Sequence, residues 1–259
     1  YVDFYPLDFS HLLSSYHRFK SLRLNRSNVL RASIGVKFEA TFSYPGGCEI
    51  GARPIDLHLA SFKKLGVKIE ENSGFIYCRC DRIKSSELHL DFPSVGATEN
   101  VILASVFADG EIILKNAAME PEIVDLCNIL NKMGAKIKGA GTNEIRIIGV
   151  KNLNDVSYTI MPDRIEAGTL LVAAAVTGGK IKLNKVVPEH ITPILYKLEE
   201  CGCKLEVGRK TIILQAPARL KATTIKTLPY PGFPTDMQAI FSTALMIAKG
   251  TSIIQENIF

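Results

Sequence analysis

No stretch of this 259-residue sequence holds about 18 apolar residues in a row, which excludes a hydrophobic membrane-spanning helix. No clean apolar segment opens the chain either. Asp3, Asp8, His11 and His17 interrupt its hydrophobic residues, and no cleavage site follows, so it does not read as a secretory leader. Dense Lys/Arg runs and aromatic-interleaved basic patches are also missing, which argues against a nucleic-acid ligand. The expected location is cytoplasmic, with no membrane partner. Cysteine is scarce at six residues, and in that compartment the six read as thiols, not disulfides. Cys78/Cys80 and Cys201/Cys203 are spaced more tightly than the C-x₂₋₄-C pairs of structural zinc sites. No metal is expected.

Hydrophobic residues make up 47% of the chain, enough to bury a sizeable core in one large domain or two ordinary ones. The net charge is +5, with acids and bases interspersed after residue 30. A mildly basic surface of this kind suits an anionic small-molecule substrate.

The most informative pattern is an internal repeat. Leu65-Gly66-Val67-Lys68-Ile69, Met133-Gly134-Ala135-Lys136-Ile137 and Cys201-Gly202-Cys203-Lys204-Leu205 carry lysines 68 residues apart each time. A second marker recurs independently. Gly110, Gly179 and Gly250 each precede a short β-prone run, and they stand 69 and 71 residues apart.

An amphipathic helix is expected before each first marker. Ile55, Leu59, Phe62 and Leu65 share a face at helical spacing, as do Ile123, Leu126, Cys127, Leu130 and Met133, and then Ile191, Ile194, Leu195 and Leu198. Pro54 and Pro121 suit a first helical turn, and the marker glycine suits a left-handed cap. A β-hairpin follows. Before each second marker, residues 101–107, 170–176 and 239–247 are apolar on nearly all sides, which predicts helices buried all round. The unit is about 70 residues long, with helices inside and sheets outside, and the chain holds roughly 3.7 of them. Residues 1–28 fit no unit and read as an irregular leader.

Pro45-Gly46-Gly47-Cys48-Glu49-Ile50-Gly51-Ala52-Arg53-Pro54-Ile55-Asp56-Leu57-His58 is similar to the active-site loop of UDP-N-acetylglucosamine enolpyruvyl transferases, members of the EPSP synthase family. Further matches come in the family's order: Arg31-Ala32-Ser33, Ser94-Val95-Gly96-Ala97-Thr98, Glu120-Pro121-Glu122-Ile123-Val124-Asp125, Pro162-Asp163-Arg164-Ile165-Glu166 and Phe233-Pro234-Thr235-Asp236-Met237-Gln238. The resemblance covers residues 29–259. It implies an α/β fold of repeated βαβαββ units forming an inside-out α/β barrel, incomplete in this chain. The implied domains are 29–161, incomplete at its start, and 162–259, lacking its later repeats. In the family the ligands lie in the cleft between two such domains.

The implied reaction moves the enolpyruvyl group of phosphoenolpyruvate to the 3′-hydroxyl of UDP-N-acetylglucosamine and releases phosphate, with no cofactor. Cys48 lies in a glycine-rich loop that lets backbone approach a ligand. A thiol there can act as proton donor if its pKa is tuned, and nearby Arg53 suits a phosphate. By resemblance Cys48 is the proton donor and the target of fosfomycin, and Arg53 holds the phosphoenolpyruvate phosphate. The same resemblance puts Pro54, Ile55, Asp56, Leu57 and His58 along the uridine. Ser94, Val95 and Gly96 precede a helix whose first N–H groups can hold the diphosphate. Asp236 has an ordinary reading as a helix N-cap; by resemblance it contacts the 3′-hydroxyl as general base. The resemblance also implies that Ile258 contacts the sugar through its backbone and that Arg31 reaches the ligand.

The family's early Lys-Asn pair and late arginine have no counterpart here. The expectation is therefore little or no turnover by this polypeptide alone. The alternative reading is a non-catalytic nucleotide-sugar-binding or interaction fragment. A third keeps the fold but takes shikimate as acceptor, and the cysteine loop, which that relative lacks, opposes it.

Overall fold

The computed structural model describes residues 38–43 and 55–258. The leader, Arg31, Cys48, Arg53 and Pro54 lie outside the described residues. Two compact units are distinguished, the first running to Thr159 and the second starting at Ile160.

In the first unit the order is β1 (Phe38–Ser43), α1 (Asp56–Lys64), β2 (Lys68–Asn72), β3 (Phe75–Cys80), β4 (Lys84–His89), α2 (Val95–Ser105), β5 (Asp109–Lys115), α3 (Pro121–Lys132), β6 (Lys136–Lys138) and β7 (Glu144–Ile148). The strands form two sheets, β1-β3-β2 and β4-β5-β7-β6. The second unit runs α4 (Arg164–Val176), β8 (Lys180–Asn184), α5 (Thr192–Glu200), β9 (Lys204–Val207), β10 (Thr211–Gln215), β11 (Thr224–Lys226), α6 (Gln238–Met246) and β12 (Ile253–Gln255). Its sheets are β8-β10-β9 and β11-β12.

The repeat is visible in the pairing. The strands after the first two of these second markers, β5 and β8, pair antiparallel with the last strand of their unit, β7 or β10. That last strand forms the hairpin with β6 or β9. Where a strand precedes the inner helix it pairs parallel with the strand after it, β4 with β5 and β11 with β12. The parallel partner needs a crossover, and the helix supplies it.

All three first-marker glycines take positive φ: +91° at Gly66, +107° at Gly134 and +93° at Gly202. Each sits in the same double-bonded helix end. The glycine N–H donates to Lys63, Asn131 or Glu199, and the next N–H donates to Phe62, Leu130 or Leu198. This is a Schellman cap, which satisfies two otherwise orphaned carbonyls.

Strand β3 alternates Phe75, Tyr77 and Arg79 outward with Ile76, Cys78 and Cys80 inward. Strand β7 buries Ile145 and Ile147 in the same way. The inward faces pack on the helices, and Ile102, Ile112, Ile145 and Ile147 are all 0% exposed. Each such side chain contributes about 1.5–3 kcal/mol of transfer free energy.

Helix α2 is buried on every side, as its apolar sequence predicts: no residue from 94 to 106 is exposed. The expectation fails for α4 and α6. Leu170 is 43% exposed, Met246 84% and Ile247 48%. In the second unit the two inner helices pack on each other, and α4 packs on β8 and β10. Among the described residues nothing covers their remaining side, so an apolar circumference does not become full burial. Helix α2 also begins six residues earlier than the apolar run 101–107, and its first half is polar yet buried: Thr98, Glu99 and Asn100.

Candidate functional site

Two of the predicted site segments meet in the first unit. Ile55 is the N-cap of α1; it is buried, and its carbonyl accepts from the Leu59 N–H at 3.0 Å. Asp56 is exposed and Leu57 half-buried against the core. His58, one turn into α1, faces α2. Asn100 Nδ2 stands 2.7 Å from His58 Nδ1. A Cβ added at Gly96 would lie 3.1 Å from His58 Cε1. Glycine at 96 therefore lets the imidazole close on the start of α2. With the Asn100 amide donating, Nδ1 accepts and the ring proton sits on Nε2. Burial lowers the His58 pKa, which keeps the ring neutral.

Ser94 is the N-cap of α2 in extended geometry. Its carbonyl accepts from both Thr98 N and Thr98 Oγ1 at 2.8 Å. Thr98 Oγ1 in turn accepts from Ala118 N at 3.0 Å. The first turn of α2 is thereby tied to the loop before α3. The leading N–H groups of a helix have no acceptor within it, so this rigid turn presents donors for an anion.

The remaining two predicted positions lie in the second unit. Asp236 lies in the 3-10 turn Thr235–Met237 and is exposed. The N-cap of that turn is Pro234, and Met237 caps α6. Asp236 is thus not the helix cap its sequence context suggests. The aspartate that does cap is Asp163, whose carboxylate accepts from Ile165 N at 2.7 Å and Glu166 N at 3.1 Å. Met237 is 0% exposed, and Phe233 stacks edge-on against Phe241 with centroids 5.5 Å apart. These contacts anchor the turn from both sides and leave Asp236 at its tip. Ile258 is half-buried, and its N–H donates to Glu256 Oε1 at 2.7 Å.

Asn100 and Glu256 were not singled out from the sequence. A readable signal existed for the first, a polar amide beside an otherwise apolar helix. Little marks the second, because its two side-chain partners, Thr227 and Thr235, are about 20 to 30 residues away.

The cysteines of the described residues behave as core. Cys78, Cys80, Cys127, Cys201 and Cys203 are all buried free thiols. Burial pushes Cys78, Cys201 and Cys203 up to about 11 and Cys127 to about 12. Among the described residues no group of three His, Cys, Asp or Glu is placed to hold a metal ion, and no helix is long and apolar enough to cross a membrane.

Repeated βαβαββ units that carry glycine-capped outer helices and apolar inner ones define an enolpyruvyl-transferase-like α/β barrel architecture. Solved structures share it. The enolpyruvyl transferase NikO from Streptomyces tendae matches with a TM-score of 0.71 at 20% identity, covering 88% of this chain and 54% of that one. EPSP synthase from Acinetobacter baumannii matches with a TM-score of 0.57 at 20% identity and the same coverage. The family model for EPSP synthase (3-phosphoshikimate 1-carboxyvinyltransferase) matches residues 27–259, and the chain belongs to that family. Among curated relatives, UDP-N-acetylglucosamine 1-carboxyvinyltransferase 2 of Caldanaerobacter subterraneus subsp. tengcongensis is 54% identical over 241 residues, 92% of this chain and 58% of the relative. UDP-N-acetylglucosamine 1-carboxyvinyltransferase 1 of the same organism is 54% identical over 220 residues, 85% of this chain and 53% of the relative. The chain spans about half the length of the curated relatives it matches.

Proposed function

We propose that this chain is part of an enzyme that transfers the enolpyruvyl group of phosphoenolpyruvate to the 3′-hydroxyl of UDP-N-acetylglucosamine, the first committed step of peptidoglycan synthesis. The C–O bond to phosphate breaks, a new C–O bond to the sugar forms, and inorganic phosphate leaves. The observation that carries this reading is the 54% identity to UDP-N-acetylglucosamine 1-carboxyvinyltransferases across most of the chain. The shikimate-accepting alternative has no such relative among those compared above.

In this reading Cys48 donates a proton to the methylene carbon and is the site of fosfomycin alkylation. Arg53 and Arg31 bind the anionic ligands. Pro54, Ile55, Asp56, Leu57 and His58 line the uridine, and Ser94, Val95 and Gly96 hold the diphosphate at the start of α2. Asp236 takes the proton of the 3′-hydroxyl, and Ile258 contacts the sugar through its backbone. The neutral, clamped His58 fits this role, since a charged imidazole would tie up the anion locally instead of shaping the base pocket. The N–H of Ile258 is committed to Glu256, so its carbonyl would make the contact. The enzyme would work in the cytoplasm without a cofactor and support cell shape and division through wall synthesis. The first unit corresponds to the first domain and the second to part of the other.

A binding fragment without turnover is the second reading, favoured by the half-length match and by exposed Leu170, Met246 and Ile247. Incubation with fosfomycin and UDP-N-acetylglucosamine, followed by peptide mass spectrometry, tests the site. Adduct on Cys48 that depends on the nucleotide sugar is the expected result. An unlabelled Cys48 in folded protein would sink the Cys48 assignment. Phosphate release with both substrates then separates enzyme from fragment.

A further inference from the structure

Glu256 forms a crosslink that the sequence motifs do not mark. Its Oε1 accepts from Thr227 Oγ1 and from the Ile258 N–H, each at 2.7 Å. Its Oε2 accepts from Thr235 Oγ1 at 2.9 Å. Thr227 is 0% exposed, and its hydroxyl also accepts from Asn257 N at 2.9 Å. Asn257 Nδ2 donates to the Thr227 carbonyl at 3.0 Å, and Thr227 N donates to the Gln255 carbonyl at 3.0 Å. Three strands of chain are thus tied together: the end of β11, the residues after β12 and the turn that bears Asp236.

We infer that Glu256 is a positioning residue, whose carboxylate holds the Asp236 turn and the Ile258 backbone in one fixed relation. The residue touches neither substrate in this scheme and acts through its neighbours. Thr235 immediately precedes Asp236, and fixing its hydroxyl fixes the direction in which the turn projects Asp236. Ile258 is fixed through its own N–H. Both positions contact the acceptor sugar in the proposed function, and the inference of a role in sugar recognition rests on that reading. A carboxylate suits the task because it accepts every one of the three donors at once, and hydrogen bonds to a charged acceptor are stronger than neutral ones. An alanine leaves three donors, one of them on fully buried Thr227, to find other partners.

The test uses the whole chain with Glu256→Ala, Glu256→Gln and Thr235→Val. Glutamine retains one oxygen for Thr227 and Ile258, and its amide can donate to the Thr235 hydroxyl, so it is the conservative rescue. Hydrogen exchange needs no ligand. Glu256→Ala is expected to raise exchange at residues 235–238 and 257–258 together by about tenfold or more, with α5 unchanged and Glu256→Gln close to wild type. Thr235→Val is expected to loosen 235–238 alone. Unchanged protection at 235–238 in Glu256→Ala would overturn the crosslink. Calorimetric binding supplies the functional arm. Glu256→Ala is expected to weaken UDP-N-acetylglucosamine about tenfold while leaving UDP within about twofold. Equal loss for both ligands, or loss for neither, would overturn the positioning role. A wild-type chain that binds UDP and the nucleotide sugar equally well would instead overturn the sugar-contact reading, with the exchange result still deciding the crosslink.

Discussion

The amide of Asn100 on α2 stands 2.7 Å from Nδ1 of His58 on α1, and that pair joins two segments 42 residues apart into one surface. The neutral ring is part of the arrangement, since protonation would set an N–H on Nδ1 against the amide donor. Burial already lowers the His58 pKa from its ordinary 6.5. Below about 6.5 the unfolded chain then takes up the proton before the folded one does. The contribution of His58 to stability is complete above that value and is lost as pH falls toward the lowered folded pKa. Urea midpoints measured from pH 7.5 to 5 should fall more steeply for wild type than for His58→Gln. Parallel curves would show that His58 is not the group responsible.

The buried thiols give a contrast with the reactivity proposed for Cys48. At pH 7.5 a thiol with a pKa near 11 has roughly one part in three thousand as thiolate, and thiolate is the reactive form. Native alkylation should therefore leave Cys78, Cys80, Cys127, Cys201 and Cys203 unmodified and mark Cys48 first. All six should react in denaturant. Peptide mapping after short exposure reads this directly, and early labelling at Cys201 or Cys203 would contradict the burial that raises them.

Two glycines separate backbone conformation from close packing. Gly66 has φ +91° with nothing within 4 Å of an added Cβ. Alanine there should cost about 1–2 kcal/mol, the ordinary penalty for a left-handed L-residue. At Gly149 an added Cβ would lie 1.8 Å from the Ala108 carbonyl oxygen, which is backbone and cannot rotate away. Gly149→Ala should cost about 3 kcal/mol or more. Chemical denaturation of both variants gives the comparison, and equal losses would contradict it.

Much of the architecture is legible in the chain because it is written three times. The marker glycines are positions where only a left-handed cap fits, and Gly66, Gly134 and Gly202 all adopt it. Parallel strands were harder to see. Lys84-Ser85-Ser86-Glu87-Leu88-His89 forms β4, yet only Leu88 is buried, so no alternation announces a strand. Its place is set by parallel pairing to β5, a long-range relation. The polar start of α2, which takes in Val95 and Gly96, is harder to read for a related reason. Thr98 and Asn100 look like loop residues, and they are helical because loop and helix partners satisfy them inside. The site shows the same division. His58, Gly96, Asp236 and Ile258 stand out through motifs, whereas Asn100 and Glu256 matter only through contacts the fold creates.

The chain after β7 is strapped to α3, and Tyr158 is its last fastening. The Tyr158 hydroxyl donates to Asp125 Oδ1 at 2.7 Å. Lys132 Nζ lies 5.8 Å from the Tyr158 ring centroid and donates to the Ser157 carbonyl at 2.8 Å. Asn154 N donates to the Met133 carbonyl at 2.7 Å. Burial, and next the bond to Asp125, raises the Tyr158 pKa above the ordinary phenol value. A folded pKa above the unfolded one contributes stability that is full below about pH 10 and is lost as pH rises beyond it. Tyr158→Phe removes the donor while keeping the ring, so the cation–π contact with Lys132 survives. The expected cost is about 1.5–3 kcal/mol, the range for a hydrogen bond to a charged group. Limited proteolysis and hydrogen exchange should show residues 151–159 opening first, with α3 itself still protected. If Tyr158→Phe leaves that segment as protected as wild type, the strap is held by Asn154 and Lys132, and the hydroxyl contributes no more than a surface contact.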